Sequence, residues 1–212
     1  MTVSKAQADF ARDLCAGLPI EIRLQDYREL AQPFDAAFSL GMFEHVGVRN
    51  YETYFPTVRG CLPPGGLFLL HSIGTNRSVT HTDPWIGRYI FPNSMLPSAA
   101  RITRAMEGRF VLEDWHSFGT DYDLTLQAWR DNIERAWTAL PERYDERFRR
   151  MWRYYLAASM ATFRPRSSGM AAAAVQGWCA WRLPGATLIS AAGACWAAGA
   201  SSGVNSAGVT VN

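Results

Sequence analysis

Pro63-Pro64-Gly65-Gly66-Leu67-Phe68-Leu69-Leu70-His71-Ser72-Ile73 is the stretch that settles the architecture. The Pro-Gly run is a turn. The unbroken apolar run behind it reads as a strand buried on both faces, the kind found in parallel sheets. Upstream, Phe34-Asp35-Ala36-Ala37-Phe38-Ser39-Leu40 is a second short apolar run, and helical spacing from about 48 to 62 separates the two. A strand, a helix and a strand in that order form a parallel crossover unit.

Working outward, Ser4-Lys5-Ala6-Gln7 fits a capping box, and Ala6, Phe10, Ala11 and Leu14 follow at helical spacing up to Gly17. Ile20, Ile22 and Leu24 alternate with polar residues and predict a strand. Downstream, short helices are expected at 84–90 and 97–107, a strand at 109–117, and long amphipathic helices at 122–139 and 143–163. The expected fold is an α/β sheet with helices on both faces. In such sheets ligands bind at the carboxyl ends of the strands. That rule singles out 25–27, 39–44, 71–73 and 117–122.

Composition narrows the function. Of 212 residues, 48% are hydrophobic and 19% charged, which is globular and not disordered. The net charge of +2 gives no argument for nucleic acid. Arg147, Arg149, Arg150 and Arg153 fall at helical spacing, and a solvated helix face explains them more simply than a phosphate patch. Cys15, Cys61, Cys179 and Cys195 make no CxxC, and His45, His71, His81 and His116 make no HExxH, so no metal site is expected. The N-terminus has no apolar signal-peptide core. The character changes near residue 165: 165–212 is Ala/Gly/Ser-rich, with Arg182 its last charge. Leu183–Ala200 is long enough to raise a membrane span, but Pro184 and three glycines weaken it. The expected division is an ordered domain over 1–164 and a poorly ordered tail over 165–212.

Three residues at the strand ends could do chemistry. Glu44 beside His45 is either an acid/base pair or a carboxylate favoured by a helix N-terminus, and spacing alone favours the second. His71 closes an apolar strand, and a local hydrogen bond and a site role are equally open. Tyr122, between Asp121 and Asp123, reads as packing just ahead of a helix whose start the acids mark.

Taken together, Gly41-Met42-Phe43-Glu44-His45-Val46-Gly47, Leu67–Gly74, Asp83–Asn93, Leu96-Pro97-Ser98 and Glu113–Trp129 resemble, in order and spacing, the bacterial cyclopropane-fatty-acyl-phospholipid synthases. The mycolic acid cyclopropane synthases are more distant relatives of that family. The resemblance runs from Thr2 to Arg164. It implies a class I methyltransferase fold, Rossmann-like, here without its first strand and its last. It also implies S-adenosylmethionine as cofactor and a bicarbonate ion in the active site. Carried over by motif, Glu44, His71, Tyr122 and the backbone of Ile73 would surround that ion. Thr2, Gln7, Asp26, Tyr27, Leu40 and Gly41 would border the cofactor. Phe43, Tyr89 and Phe91 would line the acyl channel. The implied partner is an unsaturated phospholipid acyl chain at the membrane surface, the implied location is cytoplasmic and peripheral to the inner membrane, and a homodimer is left open. The family's Gly-rich loop has no counterpart in the chain. Nor has its ion-contacting cysteine, and neither Cys15 nor Cys61 can be given that role.

Overall fold

In the computed structural model, residues 1–164 are described throughout, together with the backbone of 174–182 and 209–211. The chain builds α1 (Lys5–Leu14), β1 (Ala36–Leu40), α2 (Phe43–Val46), α3 (Tyr51–Gly60), β2 (Leu67–Thr75), α4 (Pro84–Tyr89), α5 (Ala99–Met106), β3 (Val111–Ser117), α6 (Gly119–Ala136), α7 (Glu146–Phe163), β4 (Ala174–Arg182) and β5 (Val209–Val211). The sheet order is β3-β4-β2-β1-β5. β1 and β2 are parallel, with Ala36 opposite Leu67 and Leu40 opposite His71, and β4 runs antiparallel between β2 and β3. The α/β expectation therefore holds.

β2 starts sharply because Gly66 closes the turn: a Cβ there would lie 2.9 Å from the Pro63 carbonyl oxygen. Along β2, side chains alternate between the sheet faces. Phe68 and Leu70 are buried with Tyr51, Tyr54, Phe55 and Val58 of α3 and Ile102, Ala105 and Met106 of α5. Ile73, of opposite parity, packs against a second cluster of Leu126, Tyr155, Leu156, Met160 and Phe163 from α6 and α7. His71 shares Ile73's parity and so the same face.

Two expectations need correction, the strand at 20–24 and the start of α6. Residues 20–24 form no strand. Only a single parallel bridge joins Thr2 to Leu24, and Ile20 and Leu24 are each 48% exposed. α1 forms as expected, with the Ser4 hydroxyl accepting from the Gln7 amide, yet Phe10 and Leu14 on its apolar stripe are exposed. Two strands fall within 165–212. Ala174–Arg182 lies between β2 and β3, and Val209–Val211 pairs with Ala37–Ser39 of β1, beside which the first strand was expected missing. Backbone partners on both sides outweigh local composition in forming β4. The rest of that segment, including Leu183–Ala200, lies outside the described residues. Lastly, Tyr122 sits inside α6, which begins at Gly119 after a Phe118 N-cap that provides no side-chain cap.

Candidate active site

β1 ends at Leu40 while β2 runs four residues further, and this overhang creates the site. The His71 carbonyl accepts from the Gly41 amide at 3.1 Å, so the odd-numbered residues of β2 aim their backbone groups toward β1. Ile73 is next in that series, and β1 has no residue left to meet it. The chain turns at Gly41, whose φ of +64° suits glycine, and no atom lies within 4 Å of where a Cβ would stand. It then enters α2, and the Glu44 carboxylate takes over the role of the missing strand: Oε1 accepts from the Ile73 amide at 2.6 Å.

Glu44 is only 7% exposed, and its second oxygen, Oε2, is buried with no hydrogen-bond partner among the described residues. An acceptor left in that condition costs free energy unless a donor arrives. Burial pushes the Glu44 carboxyl above its usual range, with the Ile73 amide first, then the Glu44 amide and the Ser72 hydroxyl, opposing. His71 is half-buried, and burial lowers its imidazole below the usual value. Tyr122 packs edge-on to Phe163, with centroids 4.9 Å apart, and to Trp129 at 5.9 Å. Burial first, then the charges of Tyr155 and Glu44, push its hydroxyl up to about 12. Glu44, His71, Ile73 and Tyr122 thus come from three chain segments that all lie at one end of the sheet. Tyr122 and Ile73 meet the same apolar cluster.

The residues expected at a cofactor form a second group. The Thr2 hydroxyl donates to Gln7 Oε1 at 2.7 Å and accepts from the Ser4 amide at 3.1 Å. The Thr2–Leu24 bridge places this group beside Asp26 and Tyr27, through the Gln25 amide bonding the Thr2 carbonyl at 3.0 Å. Asp26 caps the turn at Tyr27–Glu29 and holds Arg28 by both carboxylate oxygens, at 2.9 and 2.6 Å, which keeps its carboxyl low. Tyr27 meets Tyr54 edge-on at 5.3 Å. Leu40 and Gly41 stand at the end of β1.

Phe43 does not line a channel. It is fully buried, stacked on Tyr51 at 4.2 Å and wedged against Tyr54 and Phe55. Its neighbour Glu44 projects to the sheet while Phe43 fills the core. Tyr89 and Phe91 are about 40% exposed; Phe91 lies edge-on to Tyr155 at 6.0 Å and to His45 at 6.1 Å. Tyr155 belongs to the same apolar cluster as Ile73 and Tyr122, and Trp85 packs against it. Tyr155 had no signal beyond its helical spacing. Among the described residues no three His, Cys, Asp or Glu side chains gather to hold a metal ion, and no helix is long and apolar enough to cross a membrane.

Comparison with known proteins agrees with this architecture. The model of the mycolic acid cyclopropane synthetase family matches residues 1–172. The cyclopropane-fatty-acyl-phospholipid synthase of Escherichia coli is 50% identical over 166 residues, 78% of this chain and 44% of that protein. A tuberculostearic acid methyltransferase of Mycobacterium tuberculosis is 35% identical over 176 residues. The chain thus spans less than half the length of these curated relatives. Among solved structures, a cyclopropane synthase from Mycobacterium tuberculosis superposes with a TM-score of 0.75 at 20% identity, covering 85% of this chain and 67% of that one. A coclaurine N-methyltransferase bound to N-methylheliamine and SAH superposes with a TM-score of 0.69 at 18% identity, covering 85% and 59%. The fold is therefore the Rossmann-like one of S-adenosylmethionine-dependent methyltransferases. The family match over most of the chain settles its membership: this protein belongs to the mycolic acid cyclopropane synthetase family.

Proposed function

We propose that the domain carries the reacting-centre half of an enzyme that moves a methylene unit from S-adenosylmethionine onto the cis double bond of an unsaturated phospholipid acyl chain. The observation that carries this reading is the Glu44 carboxylate, tied to Ile73 by one oxygen and left buried and unpartnered at the other. A bicarbonate ion fits that vacancy in donors, because its hydroxyl can give Oε2 the hydrogen bond it lacks. When bound, bicarbonate supplies a base small enough for an apolar site.

The side chains then have distinct tasks. Glu44 Oε2 accepts and orients. The Tyr122 hydroxyl, kept protonated by its raised pKa, would donate to the ion's oxygens. The imidazole of His71, held neutral by burial, can take up a proton and pass it on. The Ile73 amide is committed to Glu44, so it serves the ion by fixing the carboxylate and not by direct contact. Aromatic rings of the cluster beside Ile73 and Tyr122, Tyr155 among them, would be the groups able to stabilise positive charge developing on the alkene.

Thr2, Gln7, Asp26, Tyr27, Leu40 and Gly41 would hold the adenosine side of S-adenosylmethionine, which supplies the methyl group when bound. The open ground at Gly41 suits a close approach. The fit is partial. Thr2 and Gln7 already satisfy each other, Asp26 is held by Arg28, and no Gly-rich strand-to-helix loop is present among the described residues to cradle the carboxylate end. This favours a second reading, in which the chain by itself is a catalytically silent portion of such an enzyme. Location at the cytoplasmic membrane surface belongs to the same proposal.

Exchanging residues 1–164 for the matching segment of the Escherichia coli synthase tests the first reading. The chimera, given S-adenosylmethionine and unsaturated phospholipid, should yield lipid heavier by one methylene and lacking a methoxy group. A methoxy product, or none from a folded chimera, would reject it.

A further inference from the structure

The four arginines of α7 divide into two pairs with different surroundings. Arg149 and Arg153 turn inward, and both hold Glu134 of α6. Arg147 and Arg150 face the other way, and among the described residues no acidic partner meets either. They flank a groove of about 590 Å³ between α4 and α7, whose walls are Trp85, Tyr89, Phe148, Met151 and Tyr154. Asp145 also borders it, but its carboxylate accepts from the Phe148 amide at 2.8 Å and caps α7.

Two of the aromatic walls, Tyr89 and Tyr154, are exposed, and Trp85 and Phe148 are part-buried. Trp85 meets Tyr154 edge-on at 4.6 Å and Tyr89 at 5.5 Å, while Tyr154 is 58% and Tyr89 41% exposed. A further cation, Arg88, lies 5.4 Å from the Tyr89 ring. Amphipathic rings beside unpaired guanidinium groups form the combination that settles at a membrane–water boundary. The rings take the glycerol level, and the arginines reach the phosphates. Guanidinium also matches phosphate geometry in two-point contact. Trp85 belongs to the groove and to the cluster holding Ile73 and Tyr122, so one apolar surface runs from the groove toward the candidate site.

We infer that the α4–α7 groove, with Arg147 and Arg150 at its rim, is where this domain docks on the phosphate headgroups of an anionic phospholipid bilayer. The inference deepens the lipid reading above and rests on it for the nature of the partner.

The test uses the full chain and vesicles of saturated phosphatidylglycerol, with no S-adenosylmethionine present. Such lipid has no alkene, so sedimentation with the vesicles reads docking alone, while methylene gain by the chimera reads the chemistry; either can fail without the other. The Arg147→Glu/Arg150→Glu variant should lose at least about thirtyfold in partitioning, since each surface arginine is worth about fivefold. Arg104→Glu on α5 should partition like the unmodified chain. Tyr89→Ser/Tyr154→Ser should weaken binding to vesicles even in high salt, where the arginines are screened. Circular dichroism of each variant should be unchanged. Undiminished binding by Arg147→Glu/Arg150→Glu overturns the proposal. So does an equal loss on Arg104→Glu, which reduces the effect to general charge. Equal charge-dependent binding to polyglutamate, insensitive to Tyr89→Ser/Tyr154→Ser, also overturns it in favour of an acidic protein partner.

Discussion

At Glu44, one carboxylate does two jobs: it terminates a strand and presents an unsatisfied acceptor. Glu44→Gln separates them, because the amide oxygen can keep the Ile73 bond while an N–H₂ donor replaces Oε2. In the chimera this variant should lower turnover by about 10²- to 10⁴-fold with little change in melting temperature; a drop in both together would make Glu44 a structural cap only. The pH dependence has a fixed sign. The folded carboxyl is raised above the ordinary 4.5, so its stabilising contribution is complete below that pH and is lost as pH rises through the folded value. His71 is opposite: its folded pKa is below 6.5, so stability is lost as pH falls from 6.5 through the lowered value. His71→Gln should therefore flatten the acid limb of a denaturant-midpoint profile. Glu44, His71 and Tyr122 were all readable as strand-end residues. Phe43 was not, because a four-residue helix carries no periodicity to tell a ring filling the core from one facing a ligand.

The hairpin of α6 and α7 is the best-secured element. Leu126 and Leu156 are fully buried at its centre. Arg164 holds Asp123 at 2.8 Å near one end, and Glu134 holds Arg149 and Arg153 farther along α6. Arg153, then Arg149, depress the Glu134 carboxyl to about 2. A depressed carboxyl stabilises above its unfolded value of 4.5 and ceases to as pH falls through about 2. Glu134→Gln should cost about 1 kcal/mol at neutral pH, with the difference from the unmodified chain closing in that acid window, measured by urea titration. Leu126→Ala should cost about 2–5 kcal/mol at every pH. Apolar spacing made both helices legible, but the start of α6 was misplaced by three residues, since Phe118 gives no capping signal and the aspartates suggested a later start. The strand expected at 20–24 shows the converse: its alternation is plain, yet a strand exists only through its neighbour, and neighbours are not written locally.

For the whole molecule, the sheet order and one end of the strands set what the chain can bind. The Thr2 hydroxyl is taken by Gln7 and the Asp26 carboxylate by Arg28, and the Escherichia coli relative is more than twice as long as the matching region. Calorimetric titration with S-adenosylmethionine should show no stoichiometric binding at micromolar concentration; a tight one-to-one isotherm would refute this. The parallel core, β1 to β2, was evident from two apolar runs and the turn between them. β4 was hidden, because its place depends on β2 and β3 and not on its own Ala-rich context. The alternating assignment of arginines along α7 has a consequence for change within that helix. Inserting one residue after Asp145 would rotate everything beyond it by about 100°. The rivets to Glu134 would swing into water and Arg147 and Arg150 would leave the groove without reaching Glu134, so a single codon could unfasten the hairpin and strip the rim of the groove in one step.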